Sequence, residues 1–156
     1  MLAAMSVEVP PRGTRGVRVP RLPGPVMRLL NDVMFRLYRN RRFRGAHLLS
    51  LTTSGARSGQ PRRTTVAYFA DGDDAWLVVA SAGGTATHPA WFFNLAKHPD
   101  QVWVDLGYRK LKVRAETLKG DERARAWRRI TTDAPGFATY ETSTDREIPV
   151  VRLTAA

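Results

Sequence analysis

The sequence predicts an α+β fold in which about six short, mostly antiparallel strands close into a small barrel with helices on its flanks. Three observations lead there. Two pairs of β-patterned segments are each joined by a turn signal, Asp71–Gly72 in the first and Gly107 in the second, which makes hairpins and not βαβ units. The segment Ala75–Ser81 (AWLVVAS) is apolar throughout, as a strand covered on both faces must be. Finally, 156 residues suit one domain with its own core, and six short strands lose their edges most economically by closure.

Residues 1–24 read as an irregular basic arm, rich in proline, glycine and arginine and expected to be mobile when unpartnered. Residues 25–156 read as the single domain. Pro25 opens a helix at the favoured first-turn position. Its stripe Val26, Leu30, Val33 and Leu37, with Met27, Met34 and Tyr38 beside it, is expected to cap the core. Arg28, Asn31, Asp32, Arg36 and Arg39 lie mostly opposite. The helix runs into a cationic cluster of Arg39, Arg41, Arg42 and Arg44, and such a basic amphipathic helix also suits an anionic membrane surface. Strands are expected at His47–Thr53, Arg63–Ala70 and Ala75–Ser81. A helix follows from Pro89 to Lys97, with His88 near its N-cap. Val102–Leu106 and Arg109–Leu118 form the second hairpin. Asp121 caps a helix to Thr132 with Ala124, Trp127 and Ile130 inward, Gly136–Tyr140 is a short helix or turn, and Ile148–Leu153 is the last strand.

The formal net charge is +11, and all of it sits in the first 63 residues: thirteen arginines there face only Glu8 and Asp32, while the remaining residues balance. That asymmetry points to an anionic partner. No nucleic acid is expected, because the arginines are not interleaved with aromatics on a sheet. There is no cysteine, and no stretch of about 20 apolar residues that could span a bilayer. The first residues lack a secretory pattern, so the expected location is cytoplasmic, with peripheral membrane contact through the basic N-terminal region compatible with it. No metal is expected, since His47, His88 and His98 lack ligand-like spacing. No GxSxG nucleophile motif occurs.

Two segments carry the chemistry. In TTSGARSGQPRR (Thr52–Arg63), glycines let backbone N–H groups turn inward and arginines add bidentate donors, a combination that suits phosphate or carboxylate; an exposed hairpin loop is the other reading. In SAGGTATHPAWFFNL (Ser81–Leu95), a buried strand ends at a Gly-Gly loop before an aromatic helix, so the backbone can approach a flat ligand.

These blocks, TTSGARSGQPRRTT, DG, VVASAGGTATHPAWFFNL and TDREIPVV, resemble in order and spacing the deazaflavin (coenzyme F-420)-dependent nitroreductase and quinone reductase family, over roughly residues 26–153. The resemblance implies an FMN-binding split-barrel-like fold and hydride transfer from reduced coenzyme F-420 to an electron-poor acceptor such as a quinone, enone or nitro compound. It implies that Arg57, Ser58, Gly59, Arg62 and Arg63 hold the phosphate and acidic tail, and that Thr64, Thr65 and Val66 continue along the coenzyme. Val79, Ala80 and Ser81 line the ring, Gly83 and Gly84 sit against it, and Trp91 and Asn94 close the pocket. Phe137 and Tyr140 form the substrate side, with Tyr140 and Ser81 as the catalytic candidates. Three segments depart from the family pattern: Ala82 stands where lysine is common, Ala56–Arg57 where Arg-Lys is common, and the often tyrosine-rich segment reads Ala134, Phe137 and Tyr140, with two phenolic hydroxyls absent. The alternatives are an FMN-dependent reductase on the same fold and a non-enzymatic basic module that binds nucleic acid or membrane.

Overall fold

The protein is described by a computed structural model that covers residues 6–39, 41–43 and 45–156; Arg44 of the cationic cluster lies outside the described residues. The chain runs α1 (Gly24–Tyr38), β1 (His47–Ser54), β2 (Pro61–Ala70), β3 (Ala75–Val79), a 3₁₀ turn (Ala82–Gly84), α2 (Ala90–Lys97), β4 (Val102–Asp105), β5 (Lys110–Thr117), α3 (Gly120–Asp133), α4 (Phe137–Ser143) and β6 (Val150–Ala155). The six strands form a closed barrel in the order β1-β2-β3-β6-β5-β4, and every pairing is antiparallel. The expected barrel and its hairpins are therefore present.

Strand periodicity divides the apolar residues between two cores. Trp76 and Val78 point into the barrel with Leu49, Leu51, Val104, Val113 and Leu153, and α2 adds Trp91, Phe92 and Leu95 to that cluster. Leu77 and Val79 point the other way, onto Trp127 and Ile130 of α3. This double burial is why β3 is apolar at every position. In α3 the inward stripe is Arg123, Trp127 and Ile130: the Arg123 guanidinium lies 5.4 Å from the Trp127 ring centroid and donates to the Ile148 carbonyl at 2.6 Å. Ala124, expected inward, is exposed, and Asp121 lies in the first turn while Lys119 occupies the N-cap position.

One pairing is short. β2 is ten residues long and pairs with β1 along eight, but with β3 only through Tyr68, Phe69 and Ala70. Beyond the Tyr68–Val78 pair the two strands part, and the first two thirds of β2 present an edge with no strand beside it.

Helix α1 crosses that region with the opposite face to the one expected. It has no buried residue; Val26, Leu30, Val33 and Leu37 are all exposed. Its partly covered residues are Asn31, Asp32, Met34, Phe35 and Tyr38. Asn31 makes the attachment, because Thr65 donates its backbone N–H to Asn31 Oδ1 at 3.0 Å and its hydroxyl to the Asn31 carbonyl at 2.7 Å. The helix thus supplies the acceptor that the missing strand does not.

The arm is also placed differently from expectation. Residues 6–23 have no helix or strand, but they are fastened to the barrel. Thr117 N–H donates to the Ser6 carbonyl, Glu8 N–H donates to Thr117 Oγ1, and Lys119 pairs with Glu8.

Asn31→Ala is expected to cost about 1–2 kcal/mol, the range for removing a partner from an amide that is then left unsatisfied. Limited proteolysis after Arg28 and Arg36 should accelerate severalfold while the barrel stays folded. Unchanged cleavage would show that α1 is held by something other than this clamp.

Candidate functional site

The parting of β2 from β3 opens a cavity of about 310 Å³. One wall is the free edge of β2, Thr64 to Ala67, and the facing wall is Val79 with the loop Ser81, Ala82 and Gly83. Asn31 and Met34 of α1, Trp91 of α2, and Phe137 and Tyr140 of α4 complete it. The loop adopts an uncommon backbone: Ala82, Gly83 and Gly84 have φ of 46°, 67° and 83° in succession. That conformation costs energy at Ala82 and is open to glycine, and it folds the chain back so that three residues face one space. α4 is held against the loop. A Cβ on Gly84 would lie 2.9 Å from Ser143 Cβ, and Trp127 Nε1 donates to Glu141 at 2.6 Å to tie α4 to α3.

A second depression of about 680 Å³ runs along the β1–β2 turn between α1 and α2. It shares Asn31, Thr64 and Trp91 with the cavity, so the two adjoin there, and together they are called the channel. Its walls carry Arg28, Arg57, Arg62 and Arg63. Among the described residues no carboxylate pairs with Arg57 or Arg62, whereas Arg63 is bound to Asp32 at 2.9 Å. The channel is therefore apolar and aromatic at one end and cationic at the other. It fits an elongated ligand with a flat ring and an anionic tail. A third groove on the other flank of α1, about 650 Å³, contains Arg36, Arg39, Lys110, Lys112 and Trp103 but none of the loop residues.

Of the residues expected at the site, Arg57, Ser58, Arg62, Arg63 and Asn94 line the groove. Thr65, Val66, Val79, Ser81, Gly83, Phe137 and Tyr140 line the cavity, and Thr64 and Trp91 line both. Gly59 forms the tip of the turn with φ 69° and faces open space. Ala80 and Gly84 lie outside the channel: Ala80 is fully buried in the barrel core, and Gly84 packs beneath α4. The amide of Asn94 is occupied by the protein, accepting from Ala56 N–H at 2.9 Å and donating to Thr53 Oγ1 at 3.0 Å. It anchors the cationic turn to α2.

Two residues behind the cavity wall, neither of them lining it, were not expected to act there. Arg146 is 6% exposed and His88 is 4% exposed. His88 was expected near the N-cap of α2, but its ring turns inward and the helix has no side-chain cap. A guanidinium only donates, so His88 Nδ1 accepts from Arg146 at 3.0 Å, and Nε2 carries the proton donated to the Pro10 carbonyl at 2.7 Å. Burial, and secondarily the charge of Arg146, push the pKa of His88 below its ordinary 6.5, and the ring is neutral.

The fold is that of the split β-barrels, and the chain can be placed more closely among them. A family model for F420H(2)-dependent quinone reductase matches residues 33–155. An F420H(2)-dependent quinone reductase of Mycobacterium tuberculosis is 39% identical over 109 residues, covering 68% of this chain and 72% of that protein. A solved F420-H2-dependent reductase superposes with a TM-score of 0.62 at 36% identity, over 68% of this chain and 92% of that one. A solved domain-swapped dimer superposes equally well, TM-score 0.62 at 31% identity, over 83% of this chain and 99% of that one. The chain belongs to the F420H(2)-dependent quinone reductase family.

The neutral His88 makes stability depend on pH. Between its ordinary pKa of 6.5 and its lower folded value, the unfolded chain binds a proton that the folded chain refuses, so stability falls as the pH drops through that window. Urea unfolding midpoints at pH 7 and pH 5 should differ more in the natural protein than in His88→Gln, whose amide can donate and accept in the same places without titrating. Equal differences would assign the effect to other groups.

Proposed function

We propose that this protein binds coenzyme F-420 along the channel and reduces a quinone-class acceptor stacked in the cavity. The observation that carries this is that the apolar slot and the cationic groove adjoin, with Asn31, Thr64 and Trp91 lining both. Arg57 and Arg62 are uncommitted donors for the phosphate and the acidic tail. Thr64 and Trp91 form the neck, and the backbone of Gly83, with nothing within 4 Å of where a Cβ would stand, leaves room for a ring to lie close. When bound, the deazaflavin supplies a hydride, and the chain's own task is to orient and exclude. Val79, Ala82 and Phe137 keep water from the ring side. Ser81 Oγ has no hydrogen-bond partner among the described residues and sits on the cavity wall, where it can donate to a ring or acceptor carbonyl. Tyr140, on α4 beside the same loop, lines the cavity too, and its role in this reading is to hold the acceptor oxygen and pass it a proton. FMN, with a single phosphate and no acidic tail, leaves most of this cationic groove unused.

We also infer where the acceptor is met. α1 turns Val26, Leu29, Leu30, Val33 and Leu37 to solvent, with Arg28, Arg36 and Arg39 around them. Apolar side chains ringed by guanidinium groups complement an anionic bilayer surface, where long-chain quinones dissolve. Among the described residues no helix is long and apolar enough to cross a membrane.

Parallel spectroscopic titrations with coenzyme F-420 and FMN test the first reading. Arg57→Ala and Arg62→Ala should each weaken F-420 binding about tenfold, and the loss should shrink in high salt. Tight FMN binding with no response to F-420 would overturn it. For the second, the protein should float with vesicles containing phosphatidylglycerol but not with pure phosphatidylcholine, and Leu30→Asp with Leu37→Asp should abolish this. Loss of a dimer in the same variant, with no flotation of the natural protein, would make α1 an interface between copies instead.

A further inference from the structure

The ring-side loop is fastened from behind by groups that do not touch the cavity. Arg146 donates to the carbonyls of Ala80 at 3.2 Å, Ser81 at 2.7 Å and Thr85 at 2.7 Å. Both ends of the positive-φ stretch Ala82–Gly84 are thus drawn onto one planar guanidinium. No carboxylate pairs with it among the described residues; its fourth partner is the neutral ring of His88. A buried cation bound only to carbonyls and an imidazole is an expensive way to gain stability. The fork geometry instead fixes three carbonyls relative to one another, a task that a point charge cannot perform.

The N-terminal arm forms a second layer over this one. Gly13 N–H donates to the Ala86 carbonyl at 2.8 Å and Val17 N–H to the Gly84 carbonyl at 3.0 Å, so the arm runs along the loop. The approach is close enough to require glycine: a Cβ on Gly16 would lie 2.3 Å from Ala86 N and 2.6 Å from the Thr85 carbonyl carbon. Pro10 accepts from His88, Thr144 Oγ1 donates to the Arg15 carbonyl at 2.7 Å, and Asp145 accepts from Thr14 and from Arg15 N–H.

We propose that Arg146 is a positioning residue for the ring-side wall Ser81–Gly83, and that arm residues 10–17 form an in-chain strap that keeps this wall in its binding conformation. The proposal rests on reading the cavity as the ring site of coenzyme F-420. It assigns a task to the arm and to the one buried arginine of the TDREIPVV block.

The test uses the full chain and two readouts, amide hydrogen exchange across Ser81–Ala86 without coenzyme and the dissociation constant for F-420. Gly16→Ala pushes the strap off, and Arg146→Lys keeps a cation but loses the fork. Gly24→Ala is the control, since nothing lies within 4 Å of its Cβ. Gly16→Ala and Arg146→Lys should each accelerate exchange in the loop and weaken F-420 binding, both by about tenfold, with the global unfolding midpoint nearly unchanged for Gly16→Ala. Gly24→Ala should do neither. Faster exchange with unaltered affinity would overturn the positioning role, and unaltered exchange in Gly16→Ala would overturn the strap. If Arg146→Lys does not fold, Gly16→Ala decides alone. If the natural protein does not bind F-420, the function proposed above fails, and the exchange readout still decides whether the strap holds the loop.

Discussion

Most of what is particular to this molecule follows from β2 and β3 pairing over three residues and then separating. A barrel that closed completely there would be a filled core with no place for a ligand. Separation creates a space but leaves two unstable features, an edge of β2 with unpaired backbone groups and a chain after Val79 that has lost its ladder. The structure answers each with a different device. Asn31 of α1 accepts from the exposed Thr65 N–H. Arg146 gathers the carbonyls on the other side. Helix and loop both line the cavity, so the groups that repair the gap also shape it.

The choice of arginine at position 146 follows from that role. Removing a cation from water costs several kcal/mol even after relaxation, and carbonyl dipoles return less than a carboxylate would. An apolar side chain of similar volume could fill the same space, but it could not hold Ala82 at φ 46°. The strain in the loop and the desolvation of Arg146 are paired costs that maintain one backbone geometry. His88 belongs to the same arrangement. Burial first, and then the guanidinium 3.0 Å away, disfavour its protonation, which is why its pKa is lowered and why acid pH works against the folded state.

The parts of this architecture governed by local periodicity were legible in the sequence. The alternation of Trp76, Leu77, Val78 and Val79 between two cores appears as an unbroken apolar run, and the glycines and arginines of the β1–β2 turn are visible as a cationic turn that also suits an exposed hairpin loop. What stayed hidden depends on pairs far apart in the chain. The period of α1 shows that it is amphipathic, but the side that meets the barrel is set by Thr65, 34 residues away, which selects Asn31 over the apolar stripe. The arm's prolines and glycines have the composition of a free segment, yet Gly16 is required by contact with Ala86. The Asp32 carboxylate beside Arg63 and the burial of Arg146 likewise depend on contacts that no local pattern shows.

The same long-range contacts explain the uneven charge. Among the described residues Arg57 and Arg62, in the first 63 residues, pair with no carboxylate, while later arginines such as Arg152, which bonds Asp71, Glu116 and Glu122, sit among acids and are structural. The early group is not uniform. Arg15 is spent on the Thr142 carbonyl, and Arg63 on Asp32. Arg57 and Arg62 face the groove, and Arg28 stands at the junction, lining the groove while flanking the outward stripe of α1. One helix therefore separates the channel from the exposed apolar surface. Its inner residues Asn31 and Met34 wall the cavity, and Leu30 and Leu37 on its other side face solvent. Acids are scarce in this part of the chain, Glu8 and Asp32 alone, so cations predominate on both sides of α1, and a further carboxylate on either side would weaken the attraction for an anionic ligand.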